Sequence, residues 1–153
     1  MVMELFKRKK KIIGYTSGVY DLFHVGHLNI LENAKSLCDK LIVGVTTDEL
    51  VKDYKGKNTV IPFSERIRIV RSIKYVDGVV PQNSMDKMDM WRRVKFDLMF
   101  VGDDWYQTEK WGSLEEEFKS KDVKIIYFPY TKTTSSTIIN SIITDRISSG
   151  KED

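Results

Sequence analysis

Short apolar runs alternate with amphipathic stretches along this chain. The runs predict β-strands, which fall over residues 12–16, 41–45, 76–81, 98–101 and 123–128. Apolar positions at helical spacing predict helices over 25–38, from 64 onward, and over 85–94, 112–121 and 135–147. A further short helix can open at Thr47-Asp48-Glu49, and the polar residues 52–58 predict a loop.

Regular alternation of strands and helices is typical of an α/β fold. We predict a doubly wound parallel sheet of about five strands with helices on both faces. No linker or repeat interrupts the pattern, so we expect a single domain over residues 1–153, with a basic lead-in over 1–10 and a tail over 148–153. Ligands of such sheets bind beyond the carboxyl ends of the strands. The candidate site residues therefore lie within 17–27, 46–48, 102–105, 129–137 and around Pro81.

Composition narrows the class of protein. The 153 residues are 41% hydrophobic and 31% charged, as in globular domains. Lys and Arg exceed Asp and Glu by 25 to 22, too small an excess to indicate a nucleic-acid partner. The single cysteine, Cys38, excludes an internal disulfide and a cysteine-based zinc cluster. No apolar run approaches the roughly 20 residues of a membrane helix, and none follows the basic residues 7–11. We therefore expect a cytoplasmic protein without a membrane partner or signal peptide.

Both histidines of the chain fall in one tetrapeptide, His24-Val25-Gly26-His27. It stands where the first predicted strand leads into the first helix, and a spacing of three puts both imidazoles on one side of a helical turn. Free N–H groups and the positive end of the helix dipole make this place suited to an anion. Gly26 would let a phosphate approach the main chain. Zinc binding is a weaker alternative because no cysteine ligand is near. The remaining alternative is that the two histidines have no functional role.

The segment from Gly18 to His27, Gly-Val-Tyr-Asp-Leu-Phe-His-Val-Gly-His, resembles the HxGH signature of the cytidylyltransferase-like nucleotidyltransferases. Further segments in the same order are similar to that family. They are Thr46-Thr-Asp-Glu49, Lys55-Gly56, Glu65-Arg66, the stretch 74–81 and Gly102-Asp-Asp-Trp105. The resemblance spans residues 11–143 and implies a Rossmann-like fold. The segment at 102–105 is most similar to glycerol-3-phosphate cytidylyltransferases, and that at 48–56 to choline-phosphate cytidylyltransferases.

The resemblance implies transfer of CMP from CTP to a phosphorylated alcohol. Glycerol-3-phosphate is the first candidate for that acceptor, and Mg²⁺ would accompany the CTP. His24, His27 and Lys55 would be catalytic, and Arg66, Lys57 and Lys87 would hold the acceptor phosphate. The remaining implied residues bind the nucleotide: Gly18, Val19, Tyr20, Asp21, Val25, Gly26, Asp104, Trp105, Tyr130, Lys132, Ser135, Ser136 and Thr137. No protein side chain is assigned to the metal. Relatives also imply a homodimer and a place in teichoic-acid or capsule synthesis.

The chain departs from the family pattern at the last motif, which in these cytidylyltransferases resembles RTEGISTT. Here the stretch 130–137 carries Tyr130 at the arginine position and Thr133 at the glycine position. Lys132 could replace the charge, though without the planar fork of arginine. The hydroxyl residues 135–137 are open to two interpretations, helix capping and phosphate binding.

Several functional alternatives stay open from the sequence. The acceptor could be another phospho-alcohol or a phospho-amine such as phosphocholine, and ATP could replace CTP. The altered last motif also admits a nucleotide-binding protein without catalysis. RNA binding is disfavoured by the nearly balanced charge.

Overall fold

Five parallel strands form one sheet in the order β3-β2-β1-β4-β5. The structure, a computed structural model, describes residues 10–102, 109–129 and 136–148. The strands are β1 (Ile13–Gly18), β2 (Lys40–Thr46), β3 (Gly78–Gln82), β4 (Leu98–Gly102) and β5 (Lys124–Phe128). The helices within the described ranges are α1 (Val25–Ser36), α2 (Asp48–Lys55), α3 (Phe63–Arg71), α4 (Lys87–Val94), α5 (Glu109–Lys119) and α6 (Ser136–Ser148).

The sheet is covered on both faces, as the apolar strands predicted. On one face, Leu31 and Ala34 of α1 and Val70 of α3 pack against β2. On the other face, Met88 and Met90 of α4 and Phe118 of α5 pack with Tyr15 of β1. The strand order reverses between β1 and β4, so the doubly wound α/β prediction is confirmed. No helix in the described ranges is long and apolar enough to cross a membrane.

The helix after β2 is longer than the sequence pattern predicted. Thr47 accepts a hydrogen bond from the Leu50 N–H at 3.3 Å and caps α2, as expected. The helix then continues to Lys55, so the prediction of a loop over 52–58 is wrong for its first four residues. It ends where Gly56 takes a left-handed conformation with φ +67°, which a residue without Cβ adopts readily. This ending places Lys55 on the last turn.

Gly44 and Gly112 offer a matched pair of alanine substitutions. A Cβ at Gly44 would lie 2.1 Å from Tyr15 Oη, whereas one at Gly112 meets nothing within 4 Å. We expect Gly44→Ala to lower the free energy of unfolding by about 1–3 kcal/mol through overpacking. Gly112→Ala, inside α5, should raise it by up to about 1 kcal/mol. Urea unfolding of both variants checks this, and equal effects would contradict it.

Candidate active site

A cavity of about 600 Å³ opens at the carboxyl ends of the strands. Its walls come from the ends of β1 to β4, from the residues after β1, and from α1, α2, α4 and α5. This is the edge at which a doubly wound sheet binds ligands, and it includes the β1–β4 reversal point. The structure thus brings together in one cavity Gly18, Val19, Tyr20, His27, Lys55 and Lys87 of the predicted site residues.

The two histidines cap helix α1 together. His24 is the N-cap residue, and its Nδ1 accepts a hydrogen bond from the Gly26 N–H at 3.0 Å. His27 reaches back, and its Nδ1 accepts from the His24 N–H at 3.2 Å. The spacing of three is therefore that of a capping box, with imidazoles in place of the usual hydroxyl and carboxylate. The Gly26 N–H is bound within the cap, so it is not among the free N–H groups that an anion could use at this helix start.

Capping fixes the chemical form of both imidazoles. Because each Nδ1 accepts a hydrogen bond, the proton of each neutral ring lies on Nε2. The rings are in contact, with centroids 3.9 Å apart and planes tilted by 32°. Burial lowers the pKa of both, and for His27 burial and the neighbouring His24 bring the pKa to about 4, with Asp21 opposing. At neutral pH the pair thus presents two uncharged Nε2–H donors.

The depressed pKa of His27 predicts a pH effect on stability. Between its ordinary pKa of 6.5 and about 4, the unfolded chain binds a proton at this residue that the folded chain does not. The contribution of His27 to the free energy of unfolding should therefore fall as pH falls through this window. NMR titration of the His27 Cε1–H should give a midpoint near 4, and one near 6.5 would contradict the prediction.

The loop between β1 and α1 has an unusual backbone. Tyr20 and Leu22 adopt left-handed conformations, with φ of 57° and 49°, which are strained for residues with side chains. Tyr20 is nonetheless buried, and its ring meets the edge of the His27 ring at a centroid distance of 5.3 Å. Phe23 packs on the same imidazole at 5.2 Å. The strained turn thus packs two aromatic rings against His27.

Asp21 and Asp48 bind one segment of chain before α3. The Asp21 carboxylate accepts hydrogen bonds from the main-chain N–H groups of Val60 and Ile61, at 2.8 and 2.9 Å. Asp48 accepts from the Phe63 N–H at 3.0 Å. Burial alone would raise the pKa of Asp48, but this bond and those from Arg66 and Thr59 lower it. Asp21 therefore has a role in loop structure beside the expected one in nucleotide binding.

Arg66 does not have the place expected of a ligand for the acceptor phosphate. Its side chain is fully buried, and it donates to the carbonyl oxygens of Ile61, Val19 and Thr46 at 2.6–2.8 Å. It also forms a 2.6 Å ion pair with Asp48. A guanidinium so committed is not available to an acceptor phosphate. Arg66 instead joins the ends of β1 and β2 to the start of α3.

Four lysines were expected at the site. Lys132 lies outside the described residues, and the structure brings two of the other three to the cavity. Lys55 lines it, and burial together with the nearby Lys57 lowers its pKa, while Asp21 opposes. Lys87, the first residue of α4, also lines it and donates from Nζ to Ser17 Oγ at 3.0 Å. Lys57 is exposed and is not part of the cavity wall. Lys55 and Lys87 thus approach from different helices.

The other predicted residues divide into three groups. Val25 begins α1 and is 49% exposed, away from the cavity wall. Ser136 and Thr137 open helix α6. The rest lie outside the described residues: Asp104, Trp105, Tyr130, Lys132 and Ser135.

Several cavity residues were not predicted individually. Ser17, Thr46 and Gln82 lie at the carboxyl ends of three neighbouring strands. The rule that ligands bind at these ends therefore indicated their positions without singling them out. Tyr54 precedes Lys55 in a segment that was predicted to be a loop. Trp111 is 5% exposed and lies between the core and the cavity.

A divalent cation would find two carboxylates in the cavity wall, Asp86 on the approach to α4 and Glu117 on α5. The described residues contain no cluster of three or more metal-ligating side chains. Asp86 also caps α4 by accepting from the Met88 N–H at 3.0 Å. Either carboxylate is of the kind that binds Mg²⁺ together with water and substrate phosphates.

The fold and the paired histidines agree with the results of comparison with known proteins. The chain belongs to the cytidylyltransferase-like family, whose model matches residues 15–151. It is a nucleotidyltransferase. It is 35% identical to glycerol-3-phosphate cytidylyltransferase of Bacillus subtilis, over 88% of this chain and 97% of that protein. It is 33% identical to FAD synthase of Thermococcus sibiricus, over 89% of this chain and 95% of that protein.

A solved structure supports the fold alone. The lipopolysaccharide core biosynthesis protein of Thermoplasma volcanium superposes with a TM-score of 0.67 at 24% identity. The match covers 82% of this chain and all of that one.

Proposed function

We propose that this enzyme transfers CMP from CTP to a phosphorylated alcohol, with glycerol-3-phosphate as the first choice, and releases pyrophosphate. The observation that carries the proposal is the histidine cap. It holds two neutral imidazoles in contact with each other, with their protons on Nε2. His27 lines the cavity together with Lys55 and Lys87, and His24 lies against His27 outside the cavity wall. Hydrogen-bond donors and cations held in advance are what phosphoryl chemistry requires.

The chemistry needs positioning more than proton transfer. A phosphate monoester is largely dianionic at neutral pH, because its second pKa is about 6. One of its oxygens attacks the α-phosphorus of CTP, a new P–O bond forms, and the bond to the leaving pyrophosphate breaks. No proton has to be removed from the nucleophile. The imidazole Nε2–H groups then stabilise negative charge on the α-phosphate and the leaving group.

The remaining roles follow from the positions around the cavity. Lys55 contacts the triphosphate from the last turn of α2, and Lys87 binds the acceptor phosphate. The nucleoside lies beside the residues after β4 and β5, where the resemblance implies contacts from Asp104, Trp105, Tyr130 and Lys132. When Mg²⁺ is bound with CTP, Asp86 and Glu117 are its candidate protein ligands, and it neutralises phosphate charge.

The choice of CTP and a small acceptor is supported by the 35% identical glycerol-3-phosphate cytidylyltransferase, of which the match covers nearly the whole length. A second candidate is transfer of AMP from ATP to a phosphorylated alcohol. Relatives named FAD synthase, at 32% and 33% identity over similar lengths, favour it. Both reactions join a nucleoside monophosphate to a phosphate ester. The homodimer, the cytoplasmic location and the place in teichoic-acid or capsule synthesis stay predictions.

Pyrophosphate release tests the proposal. The enzyme is incubated with Mg²⁺, each of the four nucleoside triphosphates, and glycerol-3-phosphate, phosphocholine, ribitol-5-phosphate or FMN. We expect turnover with CTP and glycerol-3-phosphate, with CDP-glycerol as the product. Turnover with ATP and FMN alone would replace the proposal with the second candidate. If no pair of triphosphate and acceptor gave turnover while calorimetry showed CTP binding, the chain would be a nucleotide-binding protein without catalysis.

A further inference from the structure

A buried phenol on the central strand orients an amide at the rim of the cavity. The hydroxyl of Tyr15 in β1 donates to Oε1 of Gln82, the last residue of β3, at 3.2 Å. Because Oε1 carries no hydrogen, the phenol must be the donor in this pair, and the amide must turn its oxygen towards Tyr15. Ser17, also on β1, accepts from Lys87 Nζ at 3.0 Å at the same end of the strand.

The phenol reaches Gln82 by crossing strand β2 at Gly44. A Cβ at that position would lie 2.1 Å from Tyr15 Oη and 3.3 Å from Gln82 Oε1. The Tyr15 ring is fully buried and stacks on Phe96 with centroids 4.9 Å apart, so it has no room to turn away. The absence of a side chain at 44 and the fixed ring together hold the Gln82 amide with its oxygen towards Tyr15.

The opposite end of the amide is the Nε2 group. Gln82 is only 2% exposed, and its main-chain carbonyl accepts from the Thr47 N–H at 3.0 Å. Within the ranges that the structure describes, Nε2 has no hydrogen-bond partner, although every fully enclosed side-chain nitrogen or oxygen there has one. Gln82 helps to form the wall of the cavity, and Nε2 is the amide donor that the Tyr15 hydroxyl does not engage.

We propose that Gln82 selects the acceptor by donating a hydrogen bond from Nε2 to a hydroxyl group of its alcohol portion. This inference rests on the proposed function. With the nucleoside beside β4 and β5, the end of the cavity next to β2 and β3 is left for the acceptor. A neutral N–H donor suits an uncharged hydroxyl and finds no acceptor on a quaternary ammonium group. Gln82 thus favours a phospho-polyol over phosphocholine.

The test compares glycerol-3-phosphate with n-propyl phosphate, which has the same carbon chain and phosphate without the hydroxyls. We expect the wild-type enzyme to favour glycerol-3-phosphate by about 10- to 100-fold in kcat/KM, because the buried donor is left unpaired by the analogue. Gln82→Met, similar in length and shape, should reduce that ratio to within about threefold of one. The change should appear mainly in the KM for glycerol-3-phosphate.

Two further variants separate this role from a structural one. Gln82→Glu keeps an oxygen for the Tyr15 hydroxyl but replaces the donor, so it should fold and also lose the preference. Tyr15→Phe removes the hydroxyl that holds the amide, so in the otherwise wild-type enzyme it should weaken the preference for glycerol-3-phosphate. In the Gln82→Met enzyme the same substitution should cause no further loss of that preference. If Gln82 had only a structural role, its substitution would instead raise the KM for CTP and the KM for both acceptors together.

The outcomes separate the inference from the proposed function. If CTP turnover occurs but the wild-type enzyme uses both acceptors equally, or Gln82→Met keeps the preference, the inference is overturned and CMP transfer stands. The same holds if phosphocholine is the preferred acceptor. If no triphosphate and acceptor pair gives turnover, the proposed function fails and the inference fails with it.

Discussion

Replacing His24 or His27 with asparagine should lower kcat by about 100- to 1,000-fold while the protein stays folded. Each replacement keeps the cap. The asparagine oxygen lies as many bonds from Cα as Nδ1 of histidine, so it can accept from the Gly26 N–H at position 24 and from the His24 N–H at position 27. Asparagine has no atom at the position of Nε2. Steady-state pyrophosphate release measures the loss.

Alanine at the same positions supplies the comparison. His24→Ala and His27→Ala remove both the donor and the cap, so they should lose similar activity and also about 1 kcal/mol of unfolding free energy. The capping variants should stay within about 1 kcal/mol of the wild type. If His24→Asn or His27→Asn kept kcat within threefold of the wild type, the imidazoles would serve only to start the helix.

Substituting Arg66 with methionine should lower the free energy of unfolding by about 3–5 kcal/mol. The guanidinium is fully buried, and its removal takes a donor from three carbonyl oxygens and the positive partner from the Asp48 carboxylate. Arg66→Lys should recover only part of the loss, because an ammonium group cannot reproduce the planar fork. Denaturant unfolding followed by circular dichroism gives both values.

Arg68→Met on the same helix is the matched control. Arg68 is exposed, and its replacement should change the free energy of unfolding by no more than about 0.5 kcal/mol. The experiment also decides between the two roles considered for Arg66. A phosphate ligand would raise the KM for the acceptor in a protein of unchanged stability, and that result would contradict the structural role.

The strands and the histidine site could be predicted from sequence because local patterns determine them. A strand covered on both faces must be apolar throughout, which makes β2 and β4 visible as runs. A pair of histidines three residues apart at a helix start can meet on one side of one turn. Both predictions depend only on neighbours along the chain.

Arg66 and Gln82 could not be interpreted in this way. An arginine near the start of a helix has the sequence pattern of a phosphate ligand, and only the ends of β1 and β2, 47 and 20 residues away, show that its donors are used. The role of Gln82 depends on Tyr15, 67 residues away, and on the strand register that sets Gly44 between them. Such contacts come from topology, which a single sequence does not display.

In the segment 60–63, which Asp21 and Asp48 bind, sequence variation should be limited by the main chain and not by the side chains. The two carboxylates bind the main-chain N–H groups of residues 60, 61 and 63, and Pro62 occupies the one position in that stretch whose N–H is not needed. These bonds depend on the course of the backbone and not on the side chains. Homologous chains can therefore exchange the exposed residue 60 freely, but a proline at 60, 61 or 63 would detach the loop from the histidine turn.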